Sequence, residues 1–434
     1  MSTNEQETPE PSNSGDAVVD DADDNDPKEE GEEEEEEVST RLDVTASTLE
    51  PIIEQGAFGG YLHALSQNDS VTTIHLSGTN IDTILTESQT DSLLRTLGNM
   101  SSVEELFCFG GGGQSQGGTT WFTEDRLSMC LQQQEEPSNN DKEEKKGLTV
   151  LMLWQFARLP ESMSLPKALR SLHHLERLTI KLPPRTHTKR KNKQQPYEWG
   201  CMDVYAMAWA SMPRLKALQC KCVPSVRARE PILSPEGFRV LLTSPTIETL
   251  YLENCGLMDE HIDIMVEELP GQNHVLQAMD LQENQFTDDA LYSTGQLLEK
   301  LAQTKNASFK SLNLSGIHPI TAAGGQALVQ GLAQNRTLQH FELEGTAARF
   351  ADEFAIPASP HADADWHIQM DMCLRLNRAY GEAPRIDTSN EDFCKALNSV
   401  SDHTSCLFHV LRHHLPKYVR GSGGAGCAPV VARN

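Results

Sequence analysis

Long apolar runs, paired cysteines and a concentrated basic charge are all missing from this sequence. No stretch approaches the ~20 apolar residues that a membrane-spanning helix needs, and the opening residues, MSTNEQET, are polar. The ten Cys lack the spacing of a disulfide framework or a zinc site. Acidic residues outnumber basic ones 63 to 36, which argues against nucleic acid as a partner, because phosphate binding needs a concentrated basic face. These absences predict an intracellular, cytoplasmic protein without a metal or other cofactor.

Motifs that would indicate catalysis are also missing. The run from Gly110 to Gly113 lacks the Lys and the strand-to-helix context of a phosphate-binding loop, and is interpreted as part of an insertion. His409 and His413 are four residues apart on a predicted helix but have no third ligand at a suitable spacing. Ser, His and Asp residues are scattered, with no motif that gathers a nucleophile and a base. We therefore expect no enzyme activity.

The negative charge that is present is concentrated at the N-terminus. Residues 1–40 hold 17 acidic residues and one Lys, so −16 of the net charge of −27 lies there. This segment includes the run from Glu32 to Glu37 and has few large apolar residues, so it cannot bury enough surface to offset its chain entropy. The sequence predicts a disordered acidic segment over residues 1–42 that is available to a basic protein.

The pattern LxxLxL recurs through the rest of the chain. Its four clearest copies begin 29, 33 and 29 residues apart, at Ile247, Leu276, Phe309 and Leu338. Five weaker copies begin at Val71, Val103, Leu148, Leu175 and Leu215. Because successive strand residues point to opposite faces, the second and third apolar positions of each copy should face inward and their neighbours outward. The pattern predicts nine strands.

The second half of each copy changes its period. Ile262, Val266 and Leu269 follow the three-and-four spacing of an amphipathic helix. One strand and one helix therefore make one repeat, and neighbouring repeats must stack to bury their apolar edges. The arrangement resembles the ribonuclease-inhibitor-like class of leucine-rich repeats over roughly residues 70–345. That resemblance implies an α/β solenoid, a horseshoe with parallel strands inside, helices outside and helical caps.

The predicted organisation follows from these segments. An acidic disordered segment (1–42) precedes an N-terminal helical cap (43–70), a repeat array (71–350) with insertions at 110–147 and 183–200, a C-terminal helical cap (351–420) and a mobile tail (421–434). The C-terminal cap should contain helices from Asp365 to Arg378, over 391–400 and over 404–415. Its stretches LRLNRAYG and SCLFHVLRHHLP resemble the closing segment of uncharacterised leucine-rich-repeat proteins of unicellular algae, which implies a shared cap and no known activity.

The outward strand positions give the candidate binding site, since a contiguous exposed apolar patch and aromatic or Arg anchors are typical of interfaces. We predict that a protein partner binds the concave face through Phe107, Phe109, Met152, Trp154, Arg177, Lys181, Lys221 and Tyr251. Two alternatives stay open. The insertion at 110–147, which carries Trp121 and Phe122, could fold back over the patch, or a register shift of one residue could turn these side chains into core.

The favoured function is a non-catalytic protein-binding scaffold. A first alternative is a GTPase-activating protein, because Ran-type activators combine this repeat class with an acidic stretch, although in those proteins the stretch follows the repeats. A second is a binder of histones or other basic proteins through the acidic segment. The run from Thr188 to Lys193, TKRKNK, is consistent with a nuclear import signal or with a solvated loop, and so leaves the nucleus open as a second location.

Overall fold

The computed structural model describes residues 40–78, 81–109, 123–133, 147–154, 163–182, 202–222, 231–271, 273–304, 308–317, 320–343 and 365–380. The acidic segment before residue 40, the insertion at 183–200 with Thr188 to Lys193, and everything after residue 380 lie outside these ranges. Trp121 and Phe122 also lie outside them. The predictions made for those segments therefore stay predictions.

The described residues form one parallel sheet in which every strand pairs with its neighbours in chain order. Each of the nine predicted strands is present, and a tenth precedes them. The strands are β1 (Arg41–Val44), β2 (Thr73–Ser77), β3 (Glu105–Phe109), β4 (Val150–Trp154), β5 (Arg177–Leu182), β6 (Ala217–Cys222), β7 (Thr249–Glu253), β8 (Ala278–Asp280), β9 (Ser311–Asn313) and β10 (His340–Glu342). Sequential parallel strands joined through helices confirm the leucine-rich-repeat solenoid.

Strand β1 corrects the boundary drawn from the sequence between the disordered segment and the N-terminal cap. Leu42 pairs with Ile74 and Val44 with Leu76, so the sheet begins inside the segment assigned as disordered, and the N-terminal cap includes a strand. Leu42 and Val44 alternate with charged residues over only four positions. A strand this short lacks the third apolar position of the LxxLxL pattern, so the pattern does not predict it.

The helices alternate with the strands. Their bounds are α1 (Ala46–Glu54), α2 (Phe58–Ser66), α3 (Ile81–Ile84), α4 (Glu87–Asn99), α5 (Glu124–Gln133), α6 (Ser164–Ser171), α7 (Asp203–Ala210), α8 (Pro235–Leu242), α9 (Asp259–Glu268), α10 (Asp288–Thr304), α11 (Ala322–Gln334) and α12 (Asp365–Tyr380). The last of these extends the helix predicted from Asp365 to Arg378 by two residues. Throughout the described ranges, every helix falls short of the length and apolarity that crossing a bilayer requires.

Helix α5 corrects the interpretation of residues 110–147 as a single insertion. It lies between β3 and β4 and packs between α4 and α6, as the helix of a regular repeat does. Its apolar residues Leu127, Cys130 and Leu131 have helical spacing and are at most 1% exposed. The residues on either side are Gly-rich or polar. The composition of residues 110–147 as a whole therefore does not indicate this short apolar helix face.

The core lies between the sheet and the helices, and the strand register is the predicted one. Along β7, Leu250 and Leu252 are fully buried, whereas Thr249, Tyr251 and Glu253 are only partly buried. The same alternation holds for β2, β3, β4 and β6. The alternative of a shift by one residue is therefore wrong for these strands.

Side chains of one repeat hydrogen-bond to the backbone of the next. Asp288, the first residue of α10, accepts bonds from the backbone N–H and the hydroxyl of Thr321, at 2.8 and 2.7 Å. Asp259, the first residue of α9, does the same for Thr287, at 2.8 and 2.6 Å. Because Thr321 is the N-cap of α11, the contact fixes where that helix starts relative to its predecessor. Neighbouring repeats are thus held in register, which aligns the outward side chains into rows.

Candidate partner-binding face

The outward strand residues form a surface that we call the open face, on the side of the sheet opposite the buried strand residues. One residue of each strand contributes to a middle row, which runs Asp43, His75, Phe107, Met152, Thr179, Gln219, Tyr251, Asp280, Asn313 and Glu342. A second row, two residues further along each strand, runs Ser77, Phe109, Trp154, Lys181, Lys221 and Glu253. Side chains opposite each other in such rows are close enough to interact.

Strands β2 to β4 supply an aromatic zone, which comprises His75, Phe107, Phe109, Met152 and Trp154. The ring centroids of His75 and Phe107 are 4.5 Å apart, and those of Phe109 and Trp154 are 5.4 Å apart. His75 also lies 5.9 Å from Phe109, so the four rings are continuous. All five side chains are partly buried and partly exposed. The zone is thus a connected apolar surface in contact with water.

Strands β5 and β6 supply a basic zone, which comprises Arg177, Lys181 and Lys221. The Nζ atom of Lys181 lies 3.8 Å from the centroid of the Trp154 ring, which is a cation–π contact. Lys221, opposite Lys181 in the register, forms an ion pair with Glu253. The aromatic and basic zones therefore touch at Trp154 and Lys181.

Strands β7 to β10 supply an acidic zone, which comprises Glu253, Asp280 and Glu342. Burial raises the pKa of the Asp280 carboxyl, and the charges of Glu253 and Glu342 raise it further. Hydrogen bonds from the Gln282 backbone N–H and from Asn313 act in the opposite direction. From β2 onward, the middle and second rows of the open face thus change from apolar to basic to acidic along the order of the strands.

His75 is the member of the aromatic zone whose charge depends on pH. Burial lowers the pKa of its imidazole, and the neighbouring Arg41 lowers it further, while Asp43 and Glu105 oppose the shift. A lowered pKa keeps the ring neutral at pH 7. In that form His75 extends the apolar surface of Phe107 and Phe109 and adds no charge to it.

The structure brings together seven of the eight side chains predicted for the site. Phe107, Phe109, Met152, Trp154, Arg177, Lys181 and Lys221 lie on the adjacent strands β3 to β6. Tyr251 shares their face but lies on β7, between Gln219 and Asp280 in the middle row and away from the aromatic zone.

Sequence reasoning missed His75 and Asp43 as neighbours of the site. His75 was among the outward positions, and its place opposite Phe107 follows once the two strands are known to pair. Asp43 lies 3.9 Å from the His75 ring nitrogen, but it belongs to the undetected strand β1. The sequence alone places His75 on the outward face, whereas the position of Asp43 beside it is known only from the pairing of β1 with β2.

A cysteine cluster lies inside the core beneath β6 and β7. Cys220, Cys222 and Cys255 are buried, and the Cys255 thiol donates a hydrogen bond to the Cys220 carbonyl at 3.4 Å. Burial raises the pKa of the Cys255 thiol well above its usual value, and contacts with the other two thiols raise it further. A raised pKa disfavours the thiolate form that binds metals. Within the described ranges, no three His, Cys, Asp or Glu residues are arranged to hold a metal ion.

No protein-family model matches the chain, and no curated protein matches it. Three solved structures are among those similar to it. The tropomodulin C-terminal domain of Caenorhabditis elegans is 17% identical, with 33% of this chain and 77% of that one covered and a TM-score of 0.25. The actin-binding site 2 of leiomodin-1 is 15% identical, with 33% and 71% covered and a TM-score of 0.26. Yeast Rad7, solved in complex with Elc1, is 15% identical, with 66% of each chain covered and a TM-score of 0.34.

Proposed function

We propose that this protein is a non-catalytic scaffold that binds a protein partner on the aromatic and basic zones of its open face. The observation that carries the proposal is the continuous ring surface from His75 to Trp154, which is partly exposed and is extended by Lys181. Contiguous apolar surface in contact with water is typical of interfaces, and aromatic side chains dominate binding energy once a partner excludes the water.

The charges on the same face support a protein as the partner. A polyanion such as nucleic acid would meet Glu253, Asp280 and Glu342 as soon as it extended beyond the basic zone. A folded protein or a peptide can instead present different chemistry to each zone. We also propose that the protein acts inside the cell, in the cytoplasm or the nucleus, on the support of the sequence alone.

We further assign the repeats to the ribonuclease-inhibitor-like class. Support comes from the repeat length of about 29 residues in the C-terminal half, and from the full helices that follow the strands there. Helices α9, α10 and α11 contain 10, 17 and 13 residues. Helices of this length distinguish the class from repeats whose outer side is a short 3₁₀ turn.

Affinity capture from an extract of the source cells, followed by mass spectrometry, tests the scaffold proposal. Three baits are compared: the wild type, Trp154→Asp and Tyr292→Asp. Tyr292 is a matched control because it is an exposed aromatic residue on α10, away from the sheet. Trp154→Asp should retain at least about tenfold less of the specific partner, since central aromatic anchors contribute ~2 kcal/mol or more. Tyr292→Asp should retain it fully.

Circular dichroism on each bait establishes that the variants are folded. Equal recovery of the partner by wild type and Trp154→Asp would contradict the proposal. Loss of the partner from folded Tyr292→Asp, with recovery by Trp154→Asp, would place the interface on the helices.

A further inference from the structure

Strands β4 and β5 place an apolar row directly beside a row that carries two positive charges. In the register, Val150 lies opposite Arg177, Met152 opposite Thr179, and Trp154 opposite Lys181. The three β4 side chains are partly exposed and uncharged. Neighbouring strands lie ~4.8 Å apart, so one extended segment of a partner can touch both rows at once.

The two cations of β5 have no carboxylate partner among the described residues. Arg177 lies opposite Val150 and Ala217 in the neighbouring strands and is exposed. Lys181 lies between Trp154 and Lys221. Each cation is thus flanked by groups that cannot neutralise it, which leaves its charge available to a ligand.

The environment of Lys181 favours an incoming carboxylate. Its cation–π contact with Trp154 is weak at a partly solvated site, and the like charge directly opposite in Lys221 opposes it. Lys221 is already paired with Glu253. A carboxylate beside Lys181 would form a charge-assisted hydrogen bond while the ring of Trp154 remains free to pack against an apolar side chain.

We propose that the paired rows of β4 and β5 bind a segment of a partner protein in which apolar side chains lie beside acidic ones. The apolar side chains pack on Val150, Met152 and Trp154, and the carboxylates pair with Arg177 and Lys181. This inference rests on the proposed scaffold function and adds the chemistry of the partner to it. The sequence immediately after β5 has the same sign, with Arg185, Lys189, Arg190, Lys191 and Lys193.

Fluorescence anisotropy with three labelled synthetic peptides of equal length tests this proposal on the full-length protein. Each peptide repeats a pair of apolar residues, Leu and Phe, followed by a pair of identical second residues, which are Glu, Lys or Ser, so that both kinds of side chain occur on each face of the extended peptide. The Glu peptide should bind most tightly. Added salt should lower its affinity, because its carboxylates pair electrostatically with Arg177 and Lys181. The Lys peptide should bind least.

Two variants and a matched control locate the binding. The affinity for the Glu peptide should fall by about tenfold in each of the variants Lys181→Gln and Arg177→Gln, because each loses one charge-assisted hydrogen bond. Lys167→Gln removes the same charge from an exposed position on α6 and should leave the affinity unchanged.

Several outcomes would overturn the proposal. The proposal is wrong if no peptide binds, or if the Lys peptide binds more tightly than the Glu peptide. It is also wrong if Lys181→Gln and Lys167→Gln have equal effects on binding. The same holds if single-stranded RNA displaces the Glu peptide at a lower concentration than unlabelled peptide does. The capture experiment with Trp154→Asp tests the scaffold function independently of the peptides. If Trp154→Asp still loses its captured partner while no acidic peptide binds, the open face is an interface and only the acidic chemistry is wrong.

Discussion

Leu153→Asp is expected to prevent the central repeats from folding, whereas Trp154→Asp at the next position is expected to leave the protein folded. Leu153 is 1% exposed and faces the core. Its replacement removes apolar packing and buries a carboxylate without a partner, at a cost of more than about 4 kcal/mol. Such a cost is a large part of the ~5–15 kcal/mol that stabilises a typical domain.

Trp154→Asp changes a half-exposed side chain on the other face of the same strand. The variant loses the ring contact with Phe109 and the cation–π contact with Lys181, each of which contributes about 1 kcal/mol. The new carboxylate is solvated and lies opposite Lys181, which offsets part of the loss. We expect its unfolding midpoint in urea to shift only slightly.

Circular dichroism against urea compares the two variants directly, because the introduced residue is the same and only the face differs. Leu153→Asp should lose a substantial part of the helical signal in the absence of denaturant, and Trp154→Asp should keep it. Equal destabilisation by the two substitutions would mean that Trp154 belongs to the core, and the open face would then be assigned incorrectly.

Gly331→Ala is expected to destabilise the C-terminal repeats although alanine favours helices. Gly331 lies in α11 against Gly295 of α10, and a Cβ atom at position 331 would lie 2.3 Å from the Gly295 carbonyl oxygen and 2.8 Å from its Cα. These are backbone atoms, so the two helices must separate to accept the methyl group. Overpacking of this kind costs roughly 1–3 kcal/mol, which exceeds the ~1 kcal/mol gained in helix propensity.

Gly60→Ala is the matched control for Gly331→Ala. Gly60 lies in α2, and a Cβ atom there would have no neighbour within 4 Å. With no clash to oppose the helix propensity, this variant should be as stable as the wild type or more stable by up to ~1 kcal/mol. Thermal unfolding of the two variants side by side measures the difference. A Gly331→Ala variant as stable as Gly60→Ala would show that α10 and α11 are not packed this closely.

The nine strands β2 to β10 and their faces were predictable because one rule, the alternation of side chains, applies to every copy of the LxxLxL pattern. The positions of Phe107, Trp154 and Lys181 on a common face followed from that rule alone. Strand β1 and helix α5 were not predicted, since four residues with two apolar positions give too little signal, and a Gly-rich neighbourhood masked the apolar face of α5.

Contacts between side chains could not be predicted from the sequence. Whether Lys181 turns toward Trp154 or toward a carboxylate depends on rotamers and on which groups the neighbouring strands supply. Lys221 pairs with Glu253, and Lys181 contacts the aromatic ring of Trp154. The spacing of these residues in the sequence does not indicate which lysine takes which partner. Tyr251 was predicted at the site because it faces outward, but it lies on β7, and two strands separate it from Trp154 on β4.

Site-specific photocrosslinking tests most directly whether the open face is where a partner binds. A benzophenone amino acid replaces either Met152, which is half-exposed in the aromatic zone, or Met207, which is exposed on helix α7. Irradiation in extract from the source cells should give a covalent adduct with a partner protein from position 152, and Trp154→Asp in the same chain should abolish it. An adduct from position 207 alone, or one from position 152 that survives Trp154→Asp, would contradict the assignment of the open face as the interface.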